Sequence, residues 1–269
     1  MTYFKNIDYS KLDIPEILAT LFHPRFESDM PDDQAESIID FTIPVEHDVA
    51  IGGRYHHYDA SAPNLLFFHG NGEIARDYDD IGRVYRQAGI NFLVVDYRGY
   101  GRSTGTPTVT SMMKDAHVIF NWSVKQLAII DHTGPLIVMG RSLGSASAIE
   151  LACYYEDKLK GLIIESGFSY VLPLLKILGV DTDSLGITEE DGPQNIDKIK
   201  SFSKPTLVIH AENDHLIPFE EGQALYDTSV AQDKRFLKIP FADHNTIFYH
   251  GMNEYMAAIK EFIKGIGPI

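Results

Sequence analysis

Read as a string of apolar and polar positions, the chain falls into a repeating alternation. Runs such as Leu65-Leu66-Phe67-Phe68, Phe92-Leu93-Val94-Val95 and Leu136-Ile137-Val138-Met139 carry no polar interruption. Unbroken runs of this length predict strands covered on both faces. They place strands at 64–68, 91–95, 135–139, 161–165, 205–210 and 236–240. Between the strands, the pattern predicts helices over 81–88, 112–127, 145–152 and 247–263. Repeated βα units of this kind imply the α/β class, with a mostly parallel, doubly wound sheet flanked by helices. Ligand sites on such sheets lie beyond the carboxyl ends of the strands. Ahead of the alternation, residues 38–58 read as an antiparallel lead-in, with a bend or bulge expected at Gly52-Gly53. Residues 14–22 read as a short helix halted near Pro24.

One interval breaks the rhythm. Between Gly167 and Lys204 no strand is evident. An apolar piece (171–178) is followed by an acidic stretch (181–191) and a helix expected over 193–201. Because the interval leaves from the carboxyl end of the sixth strand, it is expected to lie over the site as a small cap, residues 168–204. A surface excursion with its own small core is the alternative. The whole chain, 1–269, reads as one domain with an N-terminal extension over 1–37.

Composition narrows the partners. A net charge of -15 works against nucleic acid and anionic membrane surfaces, which need clustered Lys and Arg. The single cysteine, Cys153, rules out an intrachain disulfide and reads as a small buried hydrophobe. No signal peptide reads from the first residues, and no apolar run approaches the ~20 residues that span a bilayer. The expected location is cytoplasmic.

The chemistry centres on Gly140-Arg141-Ser142-Leu143-Gly144, a G-x-S-x-G pattern set between a buried strand and a helix. Such a serine sits on a sharp strand-to-helix turn that lifts its hydroxyl above the sheet. The hydroxyl is a poor nucleophile until a base takes its proton, and a carboxylate orients the base. In this architecture the acid and then the histidine follow the serine in the chain. Strand ends supply both, Asp214 as the acid and His244 as the base. Glu212 is the rival acid. His210 and His215 are expected to pack or cap locally, and Asp243 to be a turn residue. The oxyanion that forms in acyl transfer needs fixed N–H donors. These are assigned to the backbone N–H of Leu143 and of Asn71, the latter in the loop His69-Gly70-Asn71-Gly72-Glu73. No clustered ligand set suggests a metal. Gly70-Asn71-Gly72 is not a phosphate-binding G-x-G-x-x-G loop, so no cofactor is expected.

With these pieces in order, the chain resembles the serine hydrolases of the α/β-hydrolase superfamily over about residues 38–264. The loop Asp96-Tyr97-Arg98-Gly99-Tyr100-Gly101-Arg102-Ser103, Glu165-Ser166-Gly167 and Asp243-His244-Asn245 extend the match. Within the superfamily, the H-G-N-G-E and G-R-S-L-G forms resemble a small-capped group. That group holds acyl-protein thioesterases, monoacylglycerol-lipase-like enzymes and peptidase relatives. The resemblance implies an α/β-hydrolase fold and acyl transfer to water, with a small-molecule acyl ester or thioester as substrate. Ser142 excludes the branches with an aspartate nucleophile. The 96–103 loop is expected to shape the fold rather than react, and the apolar 171–178 piece to supply a hydrophobic acyl pocket. An aminopeptidase-like peptidase, its acidic cap selecting a free amino terminus, is the alternative. A silent ligand-binding scaffold is a third reading.

Overall fold

The computed structural model describes residues 7–27 and 38–266. The strands are β1 (Ile38–Glu46), β2 (Val49–His56), β3 (Asn64–Phe68), β4 (Asn91–Val95), β5 (Leu136–Arg141), β6 (Gly161–Glu165), β7 (Thr206–Ala211) and β8 (Lys234–Ile239). They form one sheet in the order β1-β2-β4-β3-β5-β6-β7-β8. β1 and β2 pair antiparallel, β2 runs antiparallel to β4, and every pair from β4 to β8 is parallel. The helices are α1 (Pro15–Leu21), α2 (Asp79–Gln87), α3 (Val109–Ile129), α4 (Gly144–Tyr154), α5 (Val171–Ile177), α6 (Asn195–Lys198), α7 (Phe219–Thr228) and α8 (Ile247–Ile266).

The unbroken apolar runs make sense once the two faces are separated. Successive residues of a strand point to opposite faces. Leu66, Phe68, Val138, Leu162 and Ile164 enter one core with residues of α1, α3, α4 and α5. Leu65, Phe67, Ile137, Met139 and Ile163 enter a second core with residues of α2 and α8. Both faces are covered, so neither set of positions is polar.

Two expectations are adjusted. Gly52 and Gly53 mark no bulge. They pair in register with Thr42 and Phe41, and the irregularity of the β1–β2 pair falls between Pro44 and Glu46. Gly53 lacks a side chain because the Phe41 ring and the Val94 carbonyl of β4 occupy the space a Cβ would need. The closing helix α8 is also interrupted at Gly251, whose backbone is non-helical.

The stretch between β6 and β7 holds α5 and α6 joined by turns. Its Val171, Leu175, Val180 and Ile187 belong to the same core as α4 and α1 rather than to a separate one. A buried ion pair fastens this insert further. Lys198 of α6 is fully buried and pairs with Glu150 of α4. Its Nζ also donates to Tyr9 OH at 3.0 Å. Glu150 Oε1 lies 3.1 Å from His117 Nε2. Burial pushes the Lys198 ammonium below its ordinary value, against the pull of Glu150. Removing one member of a buried pair strands the other, at a cost of about 3–5 kcal/mol, whereas removing both is far milder. Lys198→Met is therefore expected to lower the urea midpoint sharply, and Lys198→Met/Glu150→Leu to recover much of the loss. Equal midpoints for the two variants would contradict this account of the insert.

Candidate active site

Ser142 follows directly on β5, at the carboxyl edge of the sheet. Its φ of 51° puts a non-glycine residue in the left-handed region, a strained conformation worth about 1–3 kcal/mol. Strand and helix cross too closely for side chains here. A Cβ on Gly140 would run into the Gly144 carbonyl, and one on Gly144 into the Phe68 carbonyl. The Ser142 N–H donates to the Glu165 carbonyl of β6 at 2.9 Å, so the turn is pinned to the neighbouring strand.

The structure brings Ser142, His244 and Asp214 together from three strand ends. His244 Nε2 lies 2.9 Å from Ser142 Oγ, and His244 Nδ1 lies 2.7 Å from Asp214 Oδ2. The other oxygen of Asp214 accepts the N–H groups of Leu216 at 3.1 Å and Ile217 at 2.9 Å. Burial pushes this carboxyl up, but the bonds from His244 and the Ile217 N–H outweigh it and hold it below its ordinary value. An ionised carboxylate only accepts, so Nδ1 carries the ring hydrogen. In the neutral ring, Nε2 then presents a lone pair to the serine hydroxyl. The loops bearing Asp214 and His244 are themselves joined, through Glu212 N–H to the Ile239 carbonyl (3.0 Å) and Asn213 N–H to the Ala242 carbonyl (2.8 Å).

Arg141, immediately before the serine, has a structural part that sequence reasoning did not assign. Its guanidinium is buried and ties four groups. Nε donates to Glu165 Oε1 at 3.1 Å, and Nη1 bonds Glu73. Nη2 donates to the His244 carbonyl at 2.8 Å and to Asn245 Oδ1 at 3.2 Å. Glu73 in turn accepts the Gly70 N–H and the Tyr78 hydroxyl, each at 2.6 Å, and Glu165 accepts Tyr255 OH at 2.6 Å. Burial drives the Glu73 carboxyl up, yet Arg141 and Tyr78 bring it below its ordinary value. At Glu165 burial prevails, and that carboxyl sits above its ordinary value. Charged residues at the ends of otherwise apolar strands, Arg141 after Met139-Gly140 and Glu165 after Ile163-Ile164, were the available signal.

Asn71 and Leu143 both border the cleft that holds Ser142 and His244. Among the described residues, neither of their N–H groups is donated to a backbone carbonyl in the turns and loops. The Asn71 side chain is occupied, its Oδ1 accepting the His23 N–H at 2.8 Å and Tyr100 OH at 2.7 Å. The cleft measures about 340 Å³ and its walls include Leu21, Leu174, Leu178, Leu216 and Ile217. Leu174 is in α5 and Leu178 just follows it. A second cavity of about 300 Å³ borders Arg141, His244 and Asn245 on another side, with Glu73, Asp77 and Glu165 around it, and does not reach Ser142.

The rival residues are engaged elsewhere. Glu212 takes Lys238 Nζ at 2.6 Å and the Phe241 N–H at 3.1 Å. His210 is buried with Nε2 on the Ile217 carbonyl at 2.9 Å. His215 is exposed. Asp243 accepts the Asn245 N–H and the Thr246 hydroxyl within its own turn. Arg98 forms a forked pair with Asp115 at 2.7 and 2.8 Å, and Ser103 Oγ accepts the Gly52 N–H at 2.9 Å, so the 96–103 loop builds the fold. Cys153 is half-buried rather than buried, because it faces the Ser201 hydroxyl at the edge of α4.

Comparison with known proteins agrees with this architecture. A family model described as serine aminopeptidase, S33 matches residues 60–178. Protein bem46 of Schizosaccharomyces pombe is 30% identical over 190 residues, covering 69% of this chain and 62% of its own. Lysophosphatidylserine lipase ABHD12 of Bos taurus is 30% identical over 200 residues, 68% of this chain and 49% of its own. The chain thus spans about half to three fifths of the length of these curated relatives. Among solved structures, the esterase Pf2001 of Pyrococcus furiosus superposes with a TM-score of 0.72 at 20% identity, over 91% of this chain and 99% of its own. Est1E of Butyrivibrio proteoclasticus, with ferulic acid bound, gives 0.70 at 18% identity, over 84% and 98%. At such identities the structures speak for the fold alone. Among the described residues, no helix is long and apolar enough to cross a membrane. An eight-stranded, mostly parallel sheet, the G-x-S-x-G turn at its carboxyl edge and these similarities together assign the chain to the α/β-hydrolase superfamily.

Proposed function

We propose that this hydrolase cleaves carboxylic ester or thioester bonds through an acyl-enzyme on Ser142. The observation that carries the reading is the unbroken line from Asp214 through His244 to Ser142 Oγ, at 2.7 and 2.9 Å, opening onto an apolar cleft. In this reading Ser142 Oγ attacks the carbonyl carbon while its proton passes to His244 Nε2. The carbonyl oxygen becomes an oxyanion held by the N–H groups of Asn71 and Leu143. As the tetrahedral species collapses, the bond to the leaving oxygen or sulfur breaks and that atom takes the proton from His244. Water then attacks the acyl-serine, giving its proton to the same histidine, and the acid leaves as Ser142 recovers its hydrogen.

Two relatives by fold or sequence carry names in this class, an esterase and a lysophosphatidylserine lipase. The family description names an aminopeptidase, which favours amide cleavage as a second reading. An aminopeptidase needs an anion for the substrate's free ammonium. Among the described residues lining the Ser142 cleft, none is Asp or Glu. Two acidic residues of the insert are engaged elsewhere, Glu189 on the N–H groups of Val171 and Leu172 at 2.9 Å and Asp191 on Lys11 at 2.9 Å. Acyl esters are therefore preferred over aminoacyl amides.

Hydrolysis of p-nitrophenyl butyrate is expected to fall by about 10³-fold or more in Ser142→Ala, and by a comparable factor in Asp214→Asn, with folding retained. Wild-type turnover in Ser142→Ala, or faster release from aminoacyl naphthylamides than from acyl esters, would defeat the ester reading. Arg141 acts by orienting the loops, since its guanidinium is committed to Glu73, Glu165 and the His244 carbonyl. Lys cannot reproduce the fork that reaches Glu73, Glu165 and the His244 carbonyl together. Arg141→Lys is thus expected to lower kcat with KM little changed, a split that steady-state kinetics on the same ester reads directly.

A further inference from the structure

The N-terminal segment 7–27 is strapped across the carboxyl edge of the sheet. Tyr9 OH receives Lys198 Nζ at 3.0 Å, and Asp13 Oδ1 receives the Thr110 N–H at 3.1 Å. Past α1, the Gly101 N–H donates to the Arg25 carbonyl at 2.8 Å, and Glu27 N–H returns to the Gly101 carbonyl at 3.1 Å. Between these anchors α1 buries Ile17 and Leu21 in the core shared with Val171 and Leu175 of the insert. His23 N–H is bonded to the Asn71 side chain at 2.8 Å. So fastened, Thr20 and Leu21 form part of the wall of the Ser142 cleft, along with Leu174 and Leu178.

We infer that α1 sets the acyl-chain length this site accepts, with Thr20 and Leu21 as specificity-determining residues beside Leu174 and Leu178 of the insert. The inference rests on the ester-cleaving reading above. It follows from how the two cavities divide around the reacting atoms. A leaving group that takes its proton from His244 must depart on the histidine's side. The second cavity also borders His244, but it mixes Glu73, Asp77 and Arg141 with Ile81, Ile247 and Phe248 and does not reach Ser142. The acyl group must instead stay bonded to Ser142 with its oxygen at Asn71 and Leu143, and all three border the apolar cleft. An alkyl chain is the ligand chemistry such walls recognise, and about 340 Å³ accommodates one of limited length.

The test is kcat/KM across p-nitrophenyl esters from acetate to palmitate for wild type, Leu21→Ala and Thr20→Phe. Leu21→Ala deepens the cleft and is expected to move the optimum to longer chains. Thr20→Phe adds bulk from a half-buried position and is expected to move it to shorter ones. A pocket discriminates neighbouring chain lengths by roughly tenfold or more, so the octanoate-to-butyrate ratio should shift by at least about that factor, in opposite directions. If loss of the buried leucine prevents Leu21→Ala from folding, the Thr20→Phe arm decides alone. A wild-type optimum that folded variants leave in place overturns this inference and leaves the ester reading intact. A wild type that hydrolyses no ester of the series overturns both.

Discussion

A buried guanidinium holds the reacting edge of this molecule together. Arginine does not deprotonate, so a buried one must be matched by negative charge and its N–H groups must all find acceptors. Arg141 answers most of that demand by drawing in Glu73 from the loop after β3, Glu165 from the end of β6 and the His244 carbonyl and Asn245 side chain from the loop after β8. Three segments far apart in the chain are thereby set around the residue next to Ser142. Tyr78 and Tyr255 satisfy the outer oxygens of the two carboxylates, and Tyr255 OH lies 3.2 Å from Tyr85 OH, which carries the network into the second core. Half-satisfied, such a network would be costly; with both carboxylates and the guanidinium bonded, it favours one arrangement of loops.

The sheet supplies the rest of the geometry. Because both faces of β3, β5 and β6 are buried, their carboxyl ends cannot shift without disturbing two cores at once. Ser142 is held in a strained turn by that rigidity and by its own N–H bond to the Glu165 carbonyl. The histidine and aspartate arrive on loops, but loops tied to each other and to Arg141. The candidate site is thus hung on loops whose freedom the scaffold has removed.

Much of this was legible in the sequence because it follows from local pattern. Runs such as Leu65–Phe68 and Leu136–Met139 state that a strand is covered on both sides, and glycines around Ser142 announce a close crossing. Asp214 and His244 were readable from their places at strand ends. What stayed hidden depends on distant pairing. Nothing around Arg141 says that its partners lie 68 and 24 residues away. The Gly52-Gly53 pair looks like a bend, yet it answers to Phe41 and Val94 on neighbouring strands. The seven-residue α1 is readable as a helix from Ile14, Ile17, Leu18 and Leu21, but its place against the cleft follows from anchors at Lys198, Thr110, Asn71 and Gly101. The acidic 181–191 stretch suggested a binding feature, but its Glu189 caps α5 and its Asp191 pairs with Lys11.

In the proposed function, His244 and Asp214 make Ser142 a nucleophile. Treatment of the intact protein with a fluorophosphonate, followed by mass spectrometry of its peptides, tests that claim most directly. One covalent adduct is expected, on Ser142, formed rapidly in wild type and at a small fraction of that rate in His244→Ala. An unmodified Ser142, or an adduct formed equally fast without His244, would contradict it.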